Sequence, residues 1–255
     1  MKNLFDIKGK VALVTGGSRG IGEMIATGFV EAGCKVYISA RKAQVCNDLA
    51  DELSKRGTCI SLPADLGTRE GIEFLAGELA KREEKLDILV NNAGAAWGEP
   101  IDDYSEDGWD KVMNINLKGP FFVTQKLLPL LRKSGTQASP ARVINIASVN
   151  GIIPPELETY AYSSSKAGCI MLTRHLAGRL ARDHILVNAI APGPFPSHMM
   201  RATLDAFGDQ IKAGNPLHRI GTPEDIAGVA IFLSSRASAY TTGATIPCDG
   251  GSAEV

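Results

Sequence analysis

Seven short β-rich runs alternate with longer helical patterns along the chain, and no other feature limits its fold as tightly. They read VALV from Val11, VYIS from Val36, CISL from Cys59, DILV from Asp87, RVINIA from Arg142, ILVNAI from Ile185 and ATIP from Ala244. Alternation of this kind argues for a parallel sheet with helices on both faces. The expected fold is α/β, a doubly wound, seven-stranded and mostly parallel sheet. Between the first two runs, Ile21, Ile25, Phe29 and Ala32 recur at helical spacing and Gly33 supplies the stop, so the first unit is βαβ. Residues 160–182 read as one long helix, with Ala167, Ile170, Met171 and Leu180 among its apolar positions. Pro192, Pro194 and Pro196 punctuate the segment after the sixth run, and SGTQASP at residues 134–140 reads as a surface loop. The 255 residues suit one domain, 1–255, with no internal repeat.

Composition narrows the partners. The formal net charge is -1 with acids and bases interspersed, so there is no electrostatic footprint for nucleic acid or an anionic membrane. Small-molecule chemistry is the expectation. The five cysteines form no CxxC pair and no even framework, which points to reduced thiols and a cytoplasmic protein. The opening MKNLFDIKGK lacks an apolar signal core, and nowhere is there an uncharged apolar run of the roughly 18 residues that a membrane span needs. His175, His184, His198 and His218 are scattered without zinc-like spacing, so no metal site is expected.

The segment TGGSRGIG, residues 15–22, follows the first strand and opens a helix. Glycines there let the backbone approach a pyrophosphate, and the helix N-terminus offers free amides and the positive end of its dipole. That context makes the fold Rossmann-type and assigns Gly16, Ser18, Arg19, Gly20, Ile21 and Gly22 to a dinucleotide. An acid at the end of the second strand would bind the ribose diol of NAD, but Ala40 stands there, followed by Arg41. Arg19 and Arg41 can bracket a 2′-phosphate with paired hydrogen bonds, so NADPH/NADP is expected over NAD. The competing reading has Arg41 simply beginning the next helix in solvent. Asp65, with Leu66 beside it, ends the third strand and suits either the adenine amino group or a helix N-terminus.

Tyr162 precedes Lys166 by four residues, and Ser148 lies fourteen upstream of the tyrosine. Positions i and i+4 share a helix face, so the phenol and the ammonium share a site. A cation beside a phenol stabilises the phenolate and suits the hydroxyl to acid/base work, while the serine hydroxyl can polarise a carbonyl. Tyr160 is the rival acid, but Ser164 stands four residues after it and offers no cation.

These residues together resemble the short-chain dehydrogenase/reductase family across nearly the whole chain. TGGSRGIG resembles that family's TGxxxGxG turn, NNAG at residues 91–94 its NNAG segment, Ser148 with Tyr162 and Lys166 its Ser and YxxxK set, and Pro192-Gly193 its PG step. The resemblance implies that Asn91, Asn92, Ala93 and Gly94 stabilise the fourth strand and the coenzyme pocket, and that Pro192 and Gly193 also meet the cofactor. Asn116, in NLKG, falls on the asparagine of the family's N-x-x-G pattern; Asn114 is a neighbour whose following residues do not fit. The implied reaction is hydride transfer between a nicotinamide and a carbonyl carbon. In it Tyr162 donates the proton, Lys166 assists the tyrosine and holds the nicotinamide ribose, Ser148 orients the carbonyl, and Asn116 holds a water that connects the lysine to solvent.

After the PG step the family carries a variable substrate lid, here about residues 194–216, in which Phe195, Met199, Met200 and Phe207 form an apolar side. With Trp97, Val149 and Ile152 they suit either an acyl-chain pocket or the plain packing of an amphipathic helix. The overall pattern is similar to 3-oxoacyl thioester reductases, and PARVINIAS, YAYSSSKA and PGPFPS look most like the rhamnolipid-associated β-ketoacyl reductase subgroup. Sugar or polyol (gluconate-type) dehydrogenases share the same catalytic set and form the alternative, and a non-catalytic cofactor-sensing protein is a third reading. An acyl carrier protein is a candidate partner through Arg179 and Arg182, although arginines near a helix C-terminus are favoured without any partner. Apolar surface on the helix containing FFVTQKLLPLL and on the long helix, together with the family resemblance, implies a homotetramer, with a dimer as the smaller alternative.

Overall fold

The computed structural model describes residues 3–197 and 200–253, apart from the side chain of Ala202. Strands β1 Val11–Thr15, β2 Lys35–Ser39, β3 Thr58–Ser61, β4 Ile88–Asn91, β5 Ala141–Ile146, β6 Ile185–Pro192 and β7 Thr245–Cys248 form one sheet in the order β3-β2-β1-β4-β5-β6-β7. Every pairing is parallel, so the sheet expected to be mostly parallel is wholly so. Helices α1 Gly20–Glu31, α2 Ala43–Leu53, α3 Arg69–Arg82, α4 Glu106–Met113, α5 Gly119–Ser134, α6 Tyr160–Leu180, α7 Arg201–Gly214 and α8 Pro223–Ser234 make the crossovers.

Strand side chains alternate between two cores, as a period of two requires. Ala12, Val14, Ile38, Ile144 and Ile190 face α1, α2 and α8, where Ile25, Phe29, Leu53 and Leu233 are buried. Leu13, Leu89, Val143 and Val187 face α3, α5 and α6, where Leu79, Leu127, Leu131 and Leu180 are buried. Phe29 is fully buried; truncating it to alanine would cost about 3–5 kcal/mol. Gly33 ends α1 at φ 83, a left-handed torsion that glycine adopts without penalty. The long helix stops at Leu180, two residues short of the expected end. A 3₁₀ turn, Ala181–Asp183, tightens its last turn before His184 at φ 55.

All five cysteines are free. Burial pushes the Cys34 and Cys59 thiols up to about 12, so they serve as small apolar side chains. Among the described residues no helix is long and apolar enough to cross a membrane, and no group of three or more His, Cys, Asp or Glu side chains is gathered for a metal.

Candidate active site

The strand order reverses between β1 and β4, and the segments leaving their carboxyl ends are TGGSRGIG and NNAG. A crevice at such a switch point is where doubly wound sheets bind ligands. The two segments are locked together. Thr15 Oγ1 accepts the amides of Asn92 (2.9 Å) and Ala93 (3.1 Å) and donates to Val90 O, while Asn92 Nδ2 donates to Thr15 O and Gly16 O. The glycines leave no room for side chains: a Cβ on Gly22 would stand 2.3 Å from Gly16 O and one on Gly16 2.8 Å from Ala93 Cα, and Gly16 and Gly20 have φ of 63° and 57°. Helix α1 has Arg19 at its N-cap position, with a side chain that caps nothing, whereas Thr68 caps α3 and Ser105 caps α4. Its first amides are thereby left for an anion, and the bare glycine backbone fits a pyrophosphate.

Around this turn Ser18 is buried, Gly20 and Ile21 are half-buried, and Arg19 is exposed. Arg41 lies between β2 and α2, outside the helix, and is exposed too. Because Thr15 pairs with Ser39, both arginines emerge just past the carboxyl ends of adjacent strands. Asp65 is exposed and its Oδ1 accepts the Gly67 amide, while Leu66 is buried. Thr68 takes the helix-capping duty that Asp65 was one candidate for. At the other edge Pro192 pairs with Cys248, and Gly193 donates to Cys248 O (3.0 Å), where a Cβ would stand 2.7 Å from that of Asp249.

Three separated elements bring the catalytic candidates together. Lys166 is only 5% exposed, unusual for a lysine; its Nζ donates to Ile146 O at 2.7 Å and lies 5.6 Å from the Tyr162 ring centroid. Ser148 follows β5, is buried, and accepts the Asn150 amide at 3.2 Å. Asn116 sits in a π-helical turn, Asn114–Lys118, between α4 and α5, a kind of bulge frequent at functional sites. Its amide makes three hydrogen bonds: Oδ1 accepts Ala95 N–H, and Nδ2 donates to Ala95 O and to Ser165 Oγ, which in turn donates to Tyr162 O at 2.7 Å. The Asn116 side chain therefore ties the loop after NNAG to the tyrosine's own turn of helix. Gly94 completes this contact, since a Cβ there would lie 3.1 Å from Asn116 Oδ1.

Tyr160 turns elsewhere. Its hydroxyl donates to Glu158 (3.1 Å), and desolvation with that carboxylate holds its phenol above the ordinary range. It lines a surface groove of 370 Å³ with Ile101, Tyr104 and Trp109. Asn91 stabilises the fourth strand, as expected: Nδ2 donates to Thr124 Oγ1 and Asn145 Oδ1, bracing β4 against β5 and α5. In the lid region the two open readings separate by residue. Phe195 is 2% exposed and belongs to the core, with its ring where a Cβ on Gly221 would be, so it packs rather than lines a pocket. Phe207 is 53% exposed and Met200 half-buried, while Met199 lies outside the described residues. Arg179 and Arg182 are exposed.

Sequence reasoning gave no role to Thr15 or Ser165. Both adjoin residues that it singled out, but their hydrogen-bond partners lie 77 and 49 residues away, a relation only the fold reveals.

Known proteins are similar to this chain over nearly its whole length. A family model described as enoyl-(acyl carrier protein) reductase matches residues 16–253. A rhamnolipids biosynthesis 3-oxoacyl-(acyl-carrier-protein) reductase of Pseudomonas aeruginosa is 49% identical over 253 residues, covering 98% of this chain and 99% of that protein. A 2-dehydro-3-deoxy-D-gluconate 5-dehydrogenase of Dickeya dadantii is 37% identical, with 98% and 97% covered. The solved Pseudomonas aeruginosa RhlG/NADP active-site complex superposes with a TM-score of 0.96 at 48% identity, over 99% of this chain and 100% of that one. With a family model matching residues 16–253 and relatives similar over nearly the whole chain, this chain belongs to the short-chain dehydrogenase/reductase family.

Proposed function

We propose that the protein is an NADPH-dependent oxidoreductase that reduces the ketone of a 3-oxoacyl thioester to a secondary alcohol. The observation that carries this reading is the buried Lys166, held by the end of β5 beside the Tyr162 ring, at the mouth of a glycine crevice built for a dinucleotide. Bound NADPH supplies the hydride. The protein's own residues do the rest. The α1 amides and the glycine backbone hold the pyrophosphate, and Arg19 and Arg41 take the 2′-phosphate. Asp65, Leu66, Asn92, Ala93, Gly94, Pro192 and Gly193 line the remainder of the cofactor site. Ser148 Oγ donates a hydrogen bond to the substrate carbonyl, and Tyr162 gives its hydroxyl proton to the carbonyl oxygen as negative charge develops there. The Lys166 ammonium stabilises the phenolate left behind. Asn116 and Ser165 fix the tyrosine's turn of helix.

The acyl substrate class rests on the 49% identical 3-oxoacyl-(acyl-carrier-protein) reductase, and an acyl carrier protein is the proposed carrier. NADP preference is supported by the solved NADP complexes of similar chains. A gluconate-type substrate is the second reading, favoured by the 2-dehydro-3-deoxy-D-gluconate 5-dehydrogenase relatives. The domain is proposed to span 1–255 with residues 194–216 as the substrate lid, in a cytoplasmic homotetramer; light scattering of the purified protein tests the assembly. Oxidation of NADPH and of NADH is to be followed with a 3-oxoacyl thioester on carrier protein, the same acyl group on coenzyme A, and a keto-gluconate panel, with Tyr162→Phe as control. Tyr162-dependent turnover of the thioester with NADPH is expected; turnover of keto-gluconates alone would replace the acyl reading, and preference for NADH would remove the Arg19/Arg41 assignment.

A further inference from the structure

We propose that Gly151 is a positioning residue for the reaction, setting the distance between Ser148 and the helix that carries Tyr162 and Lys166. This inference rests on the catalytic reading of those three residues. Ser148 and Gly151 belong to one tight turn: Gly151 N–H donates to Ser148 O (3.0 Å) and Ser148 Oγ accepts the Asn150 amide. The far side of that turn lies directly on α6. A Cβ added to Gly151 would stand 2.6 Å from the carbonyl carbon of Lys166, 2.8 Å from Ala167 N and 2.9 Å from Lys166 O. Those atoms form a peptide unit inside α6, between the turn that bears Tyr162 and the next one, and a helix backbone cannot swing aside as a side chain can. The other route between the two parts is equally short, because Lys166 Nζ is bound to Ile146 O, two residues before Ser148. Strand end, turn and helix thus close a small triangle of which Gly151 is the one side set by clearance alone. Its torsion is not the reason for glycine, since Gly151 is absent from the left-handed positions of the chain.

A methyl at residue 151 must push the turn away from α6. Ser148 moves with it, while Tyr162 and Lys166 stay with the helix. Misplacing a reacting group by about 1 Å costs about a hundredfold in rate. The cofactor turn after β1 lies outside the triangle and is unaffected.

The experiment compares Gly151→Ala with Gly168→Ala, whose added methyl on the same helix meets the flexible end of Leu117 at 3.0 Å. Steady-state rates with NADPH and a 3-oxoacyl thioester, NADPH affinity by fluorescence titration, and the double variant Gly151→Ala/Ser148→Ala are measured. The expected result is a kcat lower by about a hundredfold in Gly151→Ala, NADPH affinity within about twofold of the parent, near-parental kcat in Gly168→Ala, and no further loss when the substitution is added to Ser148→Ala. A kcat unchanged in Gly151→Ala, a loss that adds in full to that of Ser148→Ala, or a parallel loss of NADPH binding would overturn the inference. If Ser148→Ala and Tyr162→Phe are severe while Gly151→Ala is silent, only the positioning idea fails; if Ser148→Ala is itself silent, the catalytic reading fails and takes this one with it.

Discussion

Helices α6 and α7 follow adjacent strands, yet they are held in the fold in opposite ways. Helix α6 buries Ala161, Ser165, Lys166, Cys169, Ile170, Thr173, Ala177 and Leu180, and three of these are tied by side-chain hydrogen bonds to residues on β5, on the π-helical turn or within the helix itself. Among the described side chains of α7 none is buried, and none belongs to either large apolar cluster. Proton transfer tolerates little displacement, so the helix that carries Tyr162 is fixed by burial and by polar contacts at once. Helix α7, in the proposed lid, carries no such group, and few buried apolar contacts give a segment low local stability. The proposed division places the chemistry on this frame and substrate choice on the proposed lid.

The largest effect expected within the frame is that of Tyr162→Phe, which removes the proposed proton donor and lowers kcat by about 10²- to 10⁴-fold with NADPH affinity retained. Retained turnover in a coupled assay would break the division at once. Next comes Gly22→Ala: with 2.3 Å to Gly16 O there is no space for the methyl, and overpacking of this kind costs about 1–3 kcal/mol. NADPH affinity should fall steeply in fluorescence titration while α7 is untouched. Thr15→Val leaves the part-buried amides of Asn92 and Ala93 without their acceptor, so urea unfolding should show a loss of about 1–3 kcal/mol.

Two smaller effects probe the lid side. Arg219 grips Asp225 with two hydrogen bonds at the lid's carboxyl-side stem, and that contact, with the Thr222 amide, holds the Asp225 carboxyl at about 2. A carboxyl lowered in the folded state contributes stability above its unfolded pKa and loses it as pH falls through the folded value. Arg219→Gln should therefore lower the melting temperature slightly at neutral pH, and the gap from the parent should close between about pH 4 and pH 2. A gap independent of pH would show that the pair does not hold the stem. Smallest of all, Phe207→Ala, at a residue 53% exposed, should change unfolding free energy by less than about 0.5 kcal/mol and act on KM rather than kcat. A loss comparable to that of Thr15→Val would place α7 in the frame after all.

Sequence periodicity located the strands closely, because the central strands are buried on both sides and the strands are short, apolar and separated by strong helices. The glycine turn was equally legible, since a strand, three glycines and a helix in succession leave little conformational choice. Tyr162 and Lys166 were legible as a pair because a helix makes i and i+4 neighbours. Local signals gave no access to what joins them to the rest. That Asn116 spends its amide on Ala95 and Ser165, that Phe195 is core, and which partners Asn91 uses to brace β4 all depend on which elements the sheet order brings side by side.

The amino-acid sequence by itself determined the α/β class, the glycine turn between β1 and α1 and the pairing of Tyr162 with Lys166 on one helix face, because each is written in torsional preference, apolar period or helical spacing over a few residues. The tertiary structure alone decided the distances among them: the bond from Lys166 to the end of β5, the Ser165 bridge and the clearance at Gly151. Those contacts join residues far apart in the chain, and no local preference encodes a distance that only strand order and helix packing establish.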